Sequence, residues 1–336
     1  MTHAAWRRAI LVGGAVILAW ASGGSAVRAA KPAPRPSEGE QLIIRQDWEA
    51  AEEYYYDRYK ADPNDPEVLR KLGFIELRRP GGDAVRARKY LEKARSLDPE
   101  NPVGLFLLGR TYDALGLRDL AVRTYDELIA LGPGRDEPQR ASAVHLARFA
   151  RALAAIEQGD AARAQELLDE VLRREKHHAY VFYEKALLAA GAGRTDEAID
   201  LYRRTLEALD RWAPTESWPY PSSRYAYIRE NVTYDLARLL LEKGEAEEAV
   251  RLLEPVVEQV RMRNKLPKRA IAPEAKSPLE GEPDVRYENA PLVYGKALAA
   301  LGRRKEARKV LKEFARMHVG DPDARSRARR LSRELK

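Results

Sequence analysis

The sequence predicts an all-α fold, a stack of helix–turn–helix units. Three observations lead there. Six glycines are each followed five residues later by alanine and four further on by tyrosine or leucine: Gly82/Ala87/Leu91, Gly116/Ala121/Tyr125, Gly159/Ala164/Leu168, Gly193/Ala198/Tyr202, Gly244/Ala249/Leu253 and Gly302/Ala307/Leu311. These glycines keep one period: two of the gaps are 34 residues, and the other three, at 43, 51 and 58, exceed it by 9, 17 and 24, so one repeat with three insertions accounts for all six. Of the 336 residues 45% are apolar and 33% charged, enough to bury a core and too apolar for wholesale disorder.

Each slot has a physical reason. Glycine occupies the turn because it tolerates positive φ. Alanine marks the point where two helices cross too closely for a larger side chain. The tyrosine or leucine one turn later shares that face and fills the layer toward the next unit. Such a unit exposes an apolar face that only a neighbour can cover, so the units stack.

Residues 1–29 read as a signal peptide. Arg7 and Arg8 open it, Ala9 to Ala21 is an uncharged apolar run of 13 residues, and Gly24-Ser25-Ala26 and Val27-Arg28-Ala29 suit cleavage. The alternative is an uncleaved membrane anchor from Ala9 to about Val27, short and glycine-rich against the ~20 residues a span requires. The arginine pair also faintly resembles a twin-arginine export signal. Removing the segment takes three arginines and no acid, leaving 56 Lys+Arg against 52 Asp+Glu, a balance of +4 that does not point to nucleic acid. Residues 30–40, with prolines at 32, 34 and 36, form a linker.

The repeats occupy residues 41–321, about six and a half units with insertions near 212–229 and 261–287. In Pro102 to Arg135 the spacing Leu105, Leu108-Gly109, Tyr112, Ala121, Tyr125 and Pro133 resembles the tetratricopeptide repeat, with Leu105 in the tryptophan slot. Pro66 to Asn101 matches through Leu72-Gly73, Ala87, Ala94 and Pro99, with two extra residues around Arg79-Pro80. Trp48, Ala51, Tyr55 and Pro63 give an earlier half-repeat. Units near 145–178, 179–212, 230–263 and 288–321 keep the glycine and alanine and lose the Leu-Gly pair. The resemblance implies a right-handed superhelical solenoid in which the first helix of each unit lines the concave face. Residues 322–336 are expected to be a capping helix with a polar outer face; its six basic residues from Arg325 onward would also suit an anionic surface.

In the family, the residue after the tryptophan slot and the one four further on face the groove. Carried over, these are Arg70 and Phe74, Phe106 and Arg110, Tyr183 and Leu187, Tyr234 and Arg238, and Leu292 and Lys296. Aromatic rings with arginine are common interface anchors, and they would suit a peptide or a glycan. Phe106, Tyr183 and Tyr234 equally suit packing between repeats. Phe149 faces the groove if Gly159 is in phase and joins the core, with Leu153 and Ile156, if the turn is one residue shorter; the core register is preferred. The family's best-known peptide pocket clamps a terminal carboxylate with lysine and asparagine, and the groove slots of consecutive units hold no such set.

The first insertion carries Trp212, Trp218 and Tyr220, followed by Tyr225 and Tyr227, among three prolines. A proline-stiffened loop either presents its rings to a partner or folds back to bury them. The second holds Arg261, Arg263, Lys265, Lys268 and Arg269 with prolines at 267, 273, 278 and 283. It is expected to be an exposed loop, solvated or in weak contact with anionic lipid or an acidic partner. Asn231-Val232-Thr233 matches a glycosylation triplet but falls inside a predicted helix.

Catalytic chemistry is missing from the sequence. With no cysteine, a thiolate metal site, a cysteine nucleophile and a disulfide scaffold are excluded. There is no phosphate-cradling glycine loop, no zinc-protease helix and no nucleophile elbow. His177 and His178 are adjacent and read as surface residues; His145 and His318 have no acidic partner at ligand spacing. No catalytic, metal-binding or cofactor-binding residue is therefore expected. The sequence reads as a non-enzymatic scaffold of the bacterial periplasm or cell envelope that binds a protein or peptide in its groove, for envelope assembly or polymer export. The second reading is a carbohydrate-binding protein that uses groove and insertion rings. Membrane contact is expected only from the N-terminal segment or the basic loop.

Overall fold

The computed structural model describes residues 36–134, 138–211, 225, 227–266 and 283–335. The expected signal peptide lies outside them. All regular secondary structure among the described residues is helical. They fall into two compact units, one ending at Glu175 and the other beginning at Lys176.

The first unit contains α1 (Glu38–Ile44), α2 (Trp48–Ala61), α3 (Pro66–Arg78), α4 (Ala84–Leu97), α5 (Pro102–Ala114), α6 (Arg118–Ala130), α7 (Pro138–Glu157) and α8 (Ala161–Arg174). The second contains α9 (Ala179–Gly191), α10 (Thr195–Arg211), α11 (Ile228–Glu242), α12 (Ala246–Asn264), a 3₁₀ turn (Arg286–Asn289), α13 (Ala290–Ala300), α14 (Arg304–Phe314) and α15 (Pro322–Glu334). Within each unit successive helices pack as antiparallel hairpins, each against the next. Several begin on a side-chain cap. Asp65 accepts hydrogen bonds from the amides of Glu67 and Val68, with Pro66 at the first helical position, and Asn101 caps α5 ahead of Pro102 in the same way.

The repeated slots fill the core. Ala87, Ala121, Ala164, Ala198, Ala249 and Ala307 are buried, as are Leu91, Tyr125, Leu168, Tyr202, Leu253 and Leu311. Gly116 takes the left-handed conformation at φ 69°. In the second repeat that role falls to Gly81, at φ 69°, and not to Gly82: the extra residues at Arg79-Pro80 move the turn back by one. Gly109 serves close approach. A Cβ there would stand 2.4 Å from the Tyr125 ring, so α5 can lie against α6 only without a side chain at that point. Gly295 does the same against Leu311, at 2.6 Å, so this unit keeps the glycine of the Leu-Gly pair with Tyr294 in the leucine's place. Phe149 is fully buried in α7, whereas Leu153 and Ile156 are half-buried and Gly159 takes the left-handed turn at φ 77°, in phase with Gly116, so the structure does not bear out the shortened turn. No described helix is long and apolar enough to cross a membrane.

Candidate partner-binding cavity

On α11, Tyr234, Arg238, Leu241 and Glu242 recur at spacings of four, three and one, which places them on one face. Leu292, Val293 and Lys296 present one side of α13, and Ala324 and Arg327 one side of α15. Together with Asn289 these residues line a cavity of about 190 Å³ within the second unit. It is open enough for one or two side chains and too small for a typical cofactor, given that drug-sized ligands occupy pockets of ~300 Å³ or more.

Local hydrogen bonds bring the third wall into place. The Asn289 side-chain oxygen accepts the Asp321 amide at 2.9 Å, and Glu288 accepts the Gly320 amide at 2.8 Å. Asp321 in turn caps α15. The small, buried Ala324 lets α15 approach, and Arg327 follows one turn later.

The lining carries three cations, Arg238, Lys296 and Arg327, and one carboxylate, Glu242. Arg238 pairs with Glu242 at 2.9 Å. Lys296 and Arg327 are exposed, and among the described residues neither makes an ion pair. Burial raises the Tyr234 hydroxyl above its ordinary value, the charges of Asp235 and Asp321 add to the rise, and Arg238 and Arg327 oppose it. Tyr234 therefore stays protonated at neutral pH and offers an O–H donor.

Next to this wall lies a buried polar network that the sequence did not reveal. Arg286 reaches Asp235 at 3.0 Å and donates to the Tyr183 hydroxyl. Tyr225 donates to buried Glu184 at 2.7 Å and stacks on Tyr180 at 4.1 Å. The Asn231 amide donates to the Asp284 carbonyl at 2.8 Å, and its oxygen accepts the Tyr287 amide at 3.0 Å. Arg263 pairs with Glu288. These contacts tie the ends of both insertions to α9, α11 and α12. Asn231 is fully buried, so it is no glycosylation acceptor.

The groove residues expected from the sequence divide into three groups. Tyr234, Arg238 and Lys296 come together in the cavity, with Leu292 beside them. Phe106 and Tyr183 do not face a groove: each is only 1% exposed, with Phe106 against Tyr125 and Tyr183 between Tyr202 and Tyr225. Both lie on the first helix of their unit, but neighbouring rings cover them, so neither can stack on a ligand. The remaining residues are half-buried. Arg70 is tied to Asp98 at 3.0 Å, Phe74 packs on the Trp48 ring at 6.4 Å, Arg110 lies 3.7 Å from Asp113, and Leu187 lies on α9. Trp212, Trp218 and Tyr220 lie outside the described residues.

Two histidines differ from expectation. His178 is buried and caps α9 by accepting the Val181 amide. His145 is buried and meets Glu175 at 3.3 Å, an acid 30 residues away that only the hairpin brings near. His177 is exposed, as expected.

Three tetratricopeptide repeat family models match residues 81–144, 149–211 and 231–255. The anaphase-promoting complex subunit CDC16 of Saccharomyces cerevisiae is 30% identical over 99 residues, which are 27% of this chain and 12% of that protein's length. Among solved structures, PilW, described as a widely conserved type IV pilus biogenesis factor, aligns over 69% of this chain and 94% of its own at 15% identity and a TM-score of 0.52. A tetratricopeptide repeat protein from Parabacteroides merdae aligns over 88% and 96% at 16% identity and a TM-score of 0.50. Both likenesses concern the fold.

Proposed function

The chain is a tetratricopeptide repeat protein, and from that premise we propose that it is a non-catalytic scaffold that seats a segment of a protein partner in the cavity between α11, α13 and α15. The observation that carries this reading is the convergence of groove positions from two successive repeats. Tyr234 and Arg238 from one, and Leu292 and Lys296 from the next, line a single recess. Aromatic, aliphatic and cationic groups around one recess are the composition of an interface anchor point. The N-terminal layout supports work in the periplasm or elsewhere in the cell envelope. Sequencing the mature N-terminus tests that part: a start near Ala30 supports export with cleavage, and an intact Met1 end supports an anchored form.

Site-specific photo-crosslinking tests the cavity. A benzophenone side chain replaces Tyr234, Leu292 or, as a control, Met262, which is 61% exposed on α12. Expected is capture of the same partner from positions 234 and 292 and not from 262. Equal yield from all three would reject the cavity as the seat.

A further inference from the structure

We propose that the cavity receives the carboxylate side chains of an acidic peptide segment, gripped by Arg238, Lys296 and Arg327. This rests on the scaffold reading and names the chemistry of its partner. Three cations border a recess that holds one carboxylate, Glu242, and that carboxylate is already bonded to Arg238. Lys296 and Arg327 are left with no ionic partner among the described residues. Tyr234 adds a protonated hydroxyl.

The surroundings carry the same sign. Residues 301–336 hold 13 Lys+Arg against 5 Asp+Glu, whereas residues 1–300 hold 46 against 47. The whole net charge of +7 is thus supplied by the last 36 residues, which include the third wall of the cavity. A field of this kind draws in an anionic partner, and the recess then fixes its register.

The shape selects a peptide over other anions. Leu241, Leu292 and Val293 give the recess apolar walls on which the methylenes of a glutamate can rest while its oxygens meet the cations. A guanidinium binds a carboxylate with two parallel hydrogen bonds. Arg327 comes from α15, so the grip combines two repeats with the helix that follows them and needs no free chain terminus on the ligand. A planar headgroup layer would engage exposed lysines such as Lys305 and Lys309 on α14 as readily as residues inside the recess.

Fluorescence anisotropy on the full chain tests the proposal. The probe is a labelled peptide rich in Asp and Glu with an amidated C-terminus, compared with its Asn and Gln analogue at about 150 mM salt. Expected is binding of the acidic peptide and at least about tenfold weaker binding of the analogue. The double variant Lys296→Glu with Arg327→Glu should weaken binding about tenfold, and Lys305→Glu with Lys309→Glu, an equal change of charge, by less than about threefold. Circular dichroism confirms that each variant is folded. Equal losses in the two variants would overturn the proposal in favour of an unfocused surface field. Tighter binding to phosphatidylserine vesicles or to a single-stranded oligonucleotide would overturn it in favour of those partners. If the acidic peptide fails while positions 234 and 292 still crosslink one protein, the carboxylate chemistry is wrong and the scaffold reading stands. If both fail, the cavity is not the seat.

Discussion

The guanidinium of Arg286 lies 3.0 Å from the carboxylate of Asp235, which is 5% exposed. The two come from opposite sides of the second insertion, and the same guanidinium donates to Tyr183. Removing one member of a buried pair leaves the other charged and desolvated, at a cost of about 3–5 kcal/mol. Because the Arg286 side chain is 32% exposed, solvent screening lowers that figure. Arg286→Ala is expected to lose about 2–3 kcal/mol in urea denaturation followed by circular dichroism. A loss below about 0.5 kcal/mol would mean that the pair does not stabilise the fold.

The same pair predicts a pH dependence that loss of Arg286 enlarges. Burial pushes the Asp235 carboxyl up to about 7, with Asp284 adding to the rise and Arg238 and Tyr202 opposing it. That value holds with Arg286 in place; its guanidinium, at 3.0 Å, favours the ionised form, so removing it lets the rise grow. In Arg286→Ala burial prevails. An unfolded aspartate titrates near ~3.9. Between the two values the native state holds a proton that the unfolded chain has released, so stability falls as pH rises toward 7 and levels off above it. The variant is therefore less destabilised at pH ~5 than at pH ~8, by about 1–2 kcal/mol. Adding Asp235→Asn should abolish the difference. A deficit that is the same at both pH values, with Asp235 present, would count against the assignment.

Gly109 and Gly191 predict opposite effects of one substitution. Both are helical. The missing Cβ of Gly109 would stand 2.4 Å from Tyr125, whereas that of Gly191 meets nothing within 4 Å. Gly109→Ala should destabilise by about 1–3 kcal/mol through overpacking, and Gly191→Ala should stabilise by about 0.5–1 kcal/mol through helix propensity. Thermal unfolding of the two variants reads the sign directly. Stabilisation by Gly109→Ala would refute the close-approach account.

Asn231 fixes the chain where it returns from the second insertion. Asn231→Ala strands the Asp284 carbonyl and the Tyr287 amide, which should cost about 2–3 kcal/mol. Limited proteolysis should then cut near residues 283–289 faster than in the wild type. Unchanged cleavage there would show that the bonds from Asn231 do not hold the segment.

The spacing of Ala121 and Tyr125 was legible because a helix repeats its geometry, and a residue that meets its own hairpin partner is fixed by local distance. The same arithmetic picked out Tyr234, Arg238 and Lys296, which line one cavity. It failed for Phe106 and Tyr183, whose surroundings depend on which rings neighbouring helices contribute. His145 with Glu175, Arg70 with Asp98 and Arg286 with Asp235 are pairings 28 to 51 residues apart. No periodicity encodes such pairs, since each depends on side-chain reach across a packed face. Arg327 was read only as part of a charged cap. Its place in the cavity follows from Asn289 and Glu288 binding the turn before α15.

Arg263, near the end of α12, pairs with Glu288 in the 3₁₀ turn, and the Asn264 side chain accepts the His318 amide. The end of α12 is therefore clasped to the segment that leads into α13 and to the turn before α15. The described segments on either side of residues 267–282 are thus held together by these two contacts. Lengthening a closed loop costs only about 0.6 kcal/mol per doubling. This stretch is where an added domain, an epitope or a fluorescent protein could be grafted without loosening the frame around it.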